Sequence, residues 1–142
     1  MKRIAMIGVL FAGGVACSAQ TGVMGNWATP DGSVVKVASC GPDVCLTVVK
    51  VRASAPATTD VQNPDTALRA RPLCGLRIGS GFKQEGAEAA SGGRLYDPKS
   101  GKTYSGKFEV KGNTLHLRGY IGVSLFGRSE TWTRAGEVEA CR

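Results

Sequence analysis

The segment YSGKFEVKGNTLHLRGYI, residues 104–121, carries the most informative pattern in the chain. Gly112-Asn113 is a two-residue turn signal between two segments in which apolar and polar residues alternate, which predicts a β-hairpin. The turn sets a register with the apolar residues on one face, in these pairs: Val110 with Leu115, Phe108 with Leu117, Gly106 with Gly119, and Tyr104 with Ile121. The other face pairs Glu109 with His116 and Lys107 with Arg118. A slip of one residue would destroy this separation, so the pattern specifies the register.

The apolar face of this hairpin is predicted to face the core. Gly106 opposite Gly119 leaves that face locally without side chains, which indicates either a strand bend at a barrel corner or room for a ligand. His116, the one histidine of the chain, falls on the outer face. Together with Glu109 it is interpreted as a cross-strand surface pair.

The rest of the chain also reads as short strands separated by turn signals, at the spacing typical of a sandwich or barrel. Strands are predicted near residues 25–29, 34–39, 44–51, 75–82, 92–97, 102–110, 114–121 and 125–134. The long connection 53–72 is predicted to contain one short helix, Asp65 to Arg69, capped by Asn63 with Pro64 in its first turn. About eight mostly antiparallel strands most simply close into a small all-β, up-and-down antiparallel barrel, which removes exposed strand edges.

The N-terminus has the features of a secretory signal peptide. Lys2 and Arg3 precede an apolar run that is too short to span a bilayer, and small residues precede a cut after Ala19. Residues 1–19 are therefore predicted to be removed. Residues 20–142 then form a single barrel domain with no transmembrane segment, located in the periplasm or secreted. The alternative is a lipoprotein anchored at Cys17, since residues 14–17 form a poor version of a lipoprotein cleavage box.

Charge and aromatic content argue against a nucleic-acid partner. Without Lys2 and Arg3 the formal charge falls from +7 to +5. The charges are scattered in ones and twos, whereas a nucleic-acid protein more often concentrates them in a stripe. An oligonucleotide-binding barrel would also need exposed aromatic residues for base stacking, and Tyr104 and Phe108 are predicted to face the core.

Four cysteines remain after signal removal, an even number that suits disulfides in an oxidising compartment. Three pairings are possible. Cys40 and Cys45 flank an apparent turn and are placed to bridge its mouth, which leaves Cys74 to pair with Cys141. A zinc site is the rival interpretation, but the chain has no C-x-x-C pair.

Common catalytic and cofactor motifs are incomplete. "GKT", residues 101–103, is the end of a phosphate-binding loop, but Tyr96 stands where its first glycine is needed and a strand pattern follows. Asp97 to Gly101 is interpreted as a type I turn. No serine lies in a G-x-S-x-G elbow, so no catalytic residue, cofactor or metal site is predicted, and the chain is not expected to be an enzyme. Asp60, Asn63 and Asp65 lack the remaining ligands of a calcium loop and are assigned to turns and capping.

Two resemblances to known families go further. Gly25-Asn26-Trp27 in the first strand and Arg134 in the last resemble the lipocalin and wider calycin pattern, in which a first-strand Trp closes one barrel end and a late Arg packs across it. A longer series resembles the bacterial exported family called domain of unknown function 2147: GNW (25–27), DG (31–32), Cys40 to Cys45, NPDTALRARPLCGL (63–76), GGRLYDPKSGKTY (92–104), LRGYIG (117–122) and FGRSETWTR (126–134). The resemblance implies a lipocalin-like barrel and an envelope or secreted location, and no established activity. Residues 83–91 depart from the pattern because they lack an aromatic residue.

Two functions follow as hypotheses. The first is a non-catalytic lipocalin-like protein that binds a small apolar or amphipathic ligand inside the barrel, with these interior residues: Trp27, Phe82, Tyr104, Phe108 and Leu117. The second is a filled barrel that acts as an envelope interaction module through its surface and the 53–72 loop. An alternative stays open for Arg69, Arg71 and Arg77. One or two of them would face the barrel mouth and bind an anionic head group.

Overall fold

Eight antiparallel strands close into one barrel in the computed structural model, which describes residues 13–14, 22–123, 127–139 and 141. Each strand pairs with the next, and the last pairs with the first. The strands are β1 Gly25–Ala28, β2 Val34–Cys40, β3 Asp43–Lys50, β4 Arg77–Glu85, β5 Ala89–Asp97, β6 Lys102–Lys111, β7 Thr114–Tyr120 and β8 Gly127–Ala135. The fold class predicted from sequence is confirmed. The predicted cleavage site, Cys17, and the first two residues of the predicted eighth strand lie outside the described residues.

The β6–β7 hairpin has the predicted register. Val110 pairs with Leu115, Phe108 with Leu117, and Glu109 with His116. The ladder ends at Ser105 with Tyr120, so the expected pair of Tyr104 with Ile121 lies just beyond it. The hairpin forms as expected because its two-residue turn and its alternating pattern agree on one register.

The neighbouring β4–β5 hairpin is longer than predicted. β4 extends to Glu85 and β5 begins at Ala89. On its other side, β5 shifts its register against β6 between Ser91 and Gly93, at Gly92, which has a φ of 75°. A bulge of this kind inserts a residue and breaks the alternation of polar and apolar positions, which hid this part of the hairpin.

The centre of the barrel is filled by protein side chains. Trp27, Phe82, Leu46 and Leu115 have 0% exposure. The Phe82 ring lies over Gly106, where an added Cβ would be 3.1 Å from it, and the Tyr104 side chain lies 3.5 Å from the corresponding position at Gly119. The space that the paired glycines leave on the inner face is therefore occupied by Phe82 and Tyr104.

The β3–β4 connection carries a single 3₁₀ turn, Thr66–Leu68. This agrees with the predicted short helix, but its cap differs. Asp65 is the N-cap and accepts from the Ala67 amide at 3.0 Å, whereas Asn63 accepts from the Asp65 amide at 2.8 Å. Asn63 therefore forms the turn that precedes the 3₁₀ segment, and Asp65 caps the 3₁₀ segment itself.

Strand directions place the connections at two ends of the barrel. The "loop end" carries the β1–β2, β3–β4, β5–β6 and β7–β8 connections, and the "turn end" carries the other three. At the loop end the predicted turn from Asp97 is present, with the Ser100 and Gly101 amides 3.3 and 2.8 Å from the Asp97 carbonyl oxygen.

Candidate functional site

The turn end is closed by Trp27, Arg134 and the segment that precedes β1. The Arg134 guanidinium lies 3.9 Å from the centroid of the Trp27 ring. It also donates to the carbonyl oxygens of Met24 and Gly22, at 2.7 and 2.6 Å. The Trp27 indole donates to the Val23 carbonyl oxygen at 2.9 Å. Burial lowers the pKa of Arg134, but an arginine stays charged at neutral pH, so the stacked cation and three hydrogen bonds seal this end.

The five residues expected to line a ligand site fall into two groups. Trp27, Phe82, Phe108 and Leu117 are at most 4% exposed and belong to one apolar cluster. Tyr104 is half-buried towards the loop end. A side chain beside a space large enough for water keeps accessible surface, so Trp27 and Phe82, at 0% exposure, border no such space. The role of the five in ligand binding stays a prediction.

Sequence analysis did not place Trp132 in this interior. The structure buries it to 3% exposure, opposite Leu115 on the neighbouring strand. It lies two residues before Arg134, which packs on Trp27. Strand alternation therefore puts both on the inner face, and this signal was present in the sequence.

A cleft of about 840 Å³ lies outside the barrel, between the β3–β4 connection and the C-terminal tail. Its lining is as follows: Lys50, Val51, Arg52 and Ala53 from the end of β3 onwards, Thr58, Thr59, Pro72 and Cys74 from the rest of the connection, and Glu137, Val138, Glu139 and Cys141 from the tail. Basic side chains stand on the β3 side and acidic ones on the tail side, with apolar groups on both. Its volume falls within the range of small-molecule sites, and the cleft is open to solvent.

The disulfides are Cys40–Cys45 and Cys74–Cys141, the two pairs expected from the sequence. The first closes the β2–β3 turn. The second joins the tail to the β3–β4 connection, and both of its cysteines line the cleft. The cleft therefore has a covalent wall, and the tail cannot leave it without reduction.

Asp31 ties the loop end together. Its carboxylate accepts from the Thr29 hydroxyl at 2.6 Å and the Ser33 amide at 3.1 Å, and lies 3.1 Å from the Lys99 ammonium. Burial opposes its ionisation, but these hydrogen bonds and the Lys99 charge outweigh that effect, so the pKa of Asp31 lies well below its usual range. The Arg52 guanidinium, which lines the cleft, lies 3.6 Å from the same carboxylate.

A buried cluster around Asp60 holds the β3–β4 connection against β5. Asp60 is 0% exposed. Its carboxylate accepts from the Tyr96 hydroxyl at 2.5 Å and from the Asn63 amide and the Arg71 guanidinium, both at 2.8 Å. Arg71 also lies 5.5 Å from the centroid of the Tyr96 ring. The connection that forms one wall of the cleft is thus fixed in place.

The contacts of this cluster bear on the calcium-loop residues and on two of the three arginines considered in the sequence. The Asp60 oxygens are taken by hydrogen bonds and by Arg71, so they are not available to a cation. Within the described residues no group of three or more His, Cys, Asp or Glu side chains suits a metal ion. Arg71 pairs with Asp60, and Arg69 donates to the Asn63 carbonyl oxygen at 2.8 Å. These two arginines therefore serve the connection itself.

The Tyr96 hydroxyl should ionise at a pH well above that of an ordinary tyrosine. Burial, the hydrogen bond to Asp60 and the Asp60 charge raise the pKa of Tyr96 to about 12, against a partial opposing effect of Arg71. An alkaline absorbance titration of the wild type minus that of Tyr96→Phe should show one phenol titrating near this value. Asp60→Asn should move that step lower. Because this pKa is raised on folding, its contribution to stability is present below pH 10 and is lost towards pH 12.

His116 lies on the outer face opposite Glu109, as expected. A groove of about 380 Å³ runs beside them over β5 to β8, with Lys107, Arg118 and Ser129 among its lining residues. Arg118 donates to the Ser129 hydroxyl at 2.9 Å. Within the described part of the chain, no helix is long and apolar enough to cross a membrane.

Comparison with known proteins agrees with the geometry. The profile of a family described as "Uncharacterized protein conserved in bacteria (DUF2147)" matches residues 25–134. Protein HP1028 from the human pathogen Helicobacter pylori, described as belonging to the lipocalin family, has a similar structure with a TM-score of 0.74. The two chains are 22% identical over 83% of this chain and 86% of HP1028. A search of curated proteins gave no match.

Proposed function

This chain belongs to the family of uncharacterized bacterial proteins DUF2147 and has a lipocalin-like barrel, and from that premise we propose that it is a non-catalytic binding protein of the bacterial cell envelope. It binds a small amphipathic molecule in the cleft between the β3–β4 connection and the C-terminal tail. The observation that carries the proposal is the contrast between a barrel centre at 0% exposure and an outer cleft of about 840 Å³.

The chemistry of the cleft supports this class of ligand. Apolar surface from Val51, Pro72 and Val138 suits an apolar body, while Lys50 and Glu137 on opposite walls suit polar or charged ends. The walls are pre-organised, since Asp60 fixes the connection and a disulfide fixes the tail. Pre-organised walls lower the entropic cost of binding.

Three features support an exported binding protein without catalysis. Two disulfides are consistent with an oxidising compartment. His116 is exposed on the outer face and lines the groove over β5 to β8, not the cleft. The cleft lining includes the Thr58 and Thr59 hydroxyls, and within the described residues neither is hydrogen-bonded to a carboxylate or histidine that would activate it.

Filling the cleft tests the proposal. The chain is exported in a bacterial host, purified from the envelope fraction and weighed by native mass spectrometry. The wild type should carry extra mass that leaves on denaturation. Ala53→Trp, which places an indole in the cleft, should lose that mass, whereas Lys36→Trp on the exposed outer face of β2 should keep it.

A second variant separates the cleft from the barrel. Tyr104→Ala opens the loop end of the interior and leaves the cleft untouched. If Tyr104→Ala loses the bound mass and Ala53→Trp retains it, the ligand lies in the barrel and the cleft proposal is wrong. A wild-type chain that carries no extra mass, even after incubation with an envelope extract, also contradicts it.

The interaction module is the second candidate function, and one observation favours it. The β3–β4 connection is held rigid by the Asp60 cluster, yet it exposes Val61 and Leu68, at 47% and 38%. Chemical cross-linking in the envelope should then capture a protein partner that Leu68→Ser loses and Ala53→Trp keeps.

A further inference from the structure

The exposed large apolar side chains of the described residues all lie at one end of the barrel. They are Val61 and Leu68 in the β3–β4 connection and Ile121 and Val123 after β7. Ile121 and Val123 are the most exposed, at 66% and 59%. Single exposed apolar residues are ordinary, but their confinement to one end of a protein marks an interaction surface.

Charge is divided along the same axis. The loop end also carries exposed basic side chains, on its connections and at the adjoining strand ends: Arg69, Lys99, Lys102 and Arg128. Of the acidic residues there, Asp31 and Asp60 are largely or fully buried and paired with basic partners, whereas Asp97 is half-buried and Asp65 is exposed. Around the turn end, acidic residues outnumber basic ones: Asp43, Glu85, Glu88 and Glu109 compared with Lys83 and Lys111. The apolar end is therefore also the end with the greater positive charge.

We propose that the loop end docks on an anionic lipid membrane surface, with Ile121 and Val123 entering the interface and the surrounding lysines and arginines facing the head groups. This combination of apolar side chains with flanking cations is the one that binds anionic interfaces. A protein partner would be expected to meet directional hydrogen-bonding groups among the apolar ones. Ile121 and Val123 flank Gly122 with no polar side chain between them.

Vesicle sedimentation tests the proposal on the protein as exported and processed by its host. The wild type should sediment with phosphatidylcholine vesicles that contain phosphatidylglycerol and remain in the supernatant with phosphatidylcholine alone. Ile121→Ser combined with Val123→Ser should weaken binding about tenfold or more, since both side chains lose their apolar contact. Added salt should weaken binding as well.

Two charge variants distinguish docking through the loop end from non-specific attraction of a basic protein to an anionic vesicle. Lys99→Gln with Lys102→Gln and Lys83→Gln with Lys111→Gln change the net charge equally at opposite ends. The loop-end variant should bind about tenfold or more weakly, at about 1 kcal/mol for each lysine near the surface. The turn-end variant should bind like the wild type.

Several outcomes would overturn the proposal. Equal losses in the two charge variants would show non-specific attraction. Full binding by the serine double variant would show that the apolar residues do not enter the interface. No sedimentation with either kind of vesicle would leave a protein partner as the occupant of this end. None of these results depends on a ligand in the cleft, so this proposal and the proposed function fail separately.

Discussion

Gly93→Ala is expected to lower the free energy of unfolding by about 3 kcal/mol, because the barrel has no space for one methyl group there. An added Cβ would lie less than 3.0 Å from three atoms of the Phe82 ring. Phe82 is at 0% exposure, and its ring lies 5.0 Å from that of Phe108, so it has little room to retreat. Urea unfolding followed by tryptophan fluorescence measures the loss.

A graded series of glycines provides the control. Gly106 faces the same ring, at 3.1 Å from an added Cβ, while at Gly119 the nearest atom is 3.5 Å away. The three positions follow one row across β5, β6 and β7. None has a positive φ, so an alanine at any of them tests packing without backbone strain. The cost should fall in the order Gly93, Gly106, Gly119, and Gly136→Ala, with nothing within 4 Å, should cost almost nothing.

A double variant identifies the cause of the loss. If the Phe82 ring is the obstacle, Phe82→Leu and Gly93→Ala should be coupled, and the double variant should lose less stability than the sum of the single losses. Additive losses, or equal costs at the three glycines of the row, would contradict the view that one ring fills the centre of the barrel.

The sequence predicted the fold best where the turn residues and the hydrophobic pattern indicate the same structure. In the β6–β7 hairpin a two-residue turn and strict alternation specify one register, and the structure has it. Alternation fails in β4 and β5, where Gly81 and Gly92 have φ values of 73° and 75° and the β3–β4 and β5–β6 ladders are irregular. A pattern with a period of two cannot locate strands across such bulges.

The candidate site was harder to predict because its walls come from distant segments. Tyr96 and Asp60 meet across 36 positions in sequence, and the tail reaches the β3–β4 connection through Cys74 and Cys141, 67 positions apart. Irregular connections have no periodicity that reports such contacts. The disulfide was foreseeable by elimination of pairs, but the cleft that it closes was not.

The Asp60 cluster gives the second large expected effect. Asp60→Ala should lower the free energy of unfolding by about 3 kcal/mol, since removing one member of a buried pair leaves its partners unsatisfied. Tyr96, Asn63 and Arg71 would each lose an acceptor. The effect should be at the low end for a buried pair, because the Arg71 side chain is 34% exposed and water solvates it in part. Asp65→Asn is the matched control, since Asp65 is exposed on the same connection and should cost less than about 1 kcal/mol.

The dependence of this effect on pH separates lost charge from lost packing. Burial raises the pKa of Asp60, but the hydrogen bonds from Tyr96, Asn63 and Arg71 and the Arg71 charge outweigh it, so the pKa is lowered. A carboxyl with a lowered pKa stabilises the fold above its unfolded value of 3.8, and this stabilisation is lost as the pH falls through the folded value. The difference in stability between wild type and Asp60→Asn should therefore be constant near neutral pH and shrink below about pH 4. Since Asp31 titrates in both proteins alike, its own lowered pKa cancels in that difference. A difference that stays unchanged down to the acid limit of folding would mean that Asp60 acts by shape alone, and the charged anchor of the β3–β4 connection would have to be abandoned.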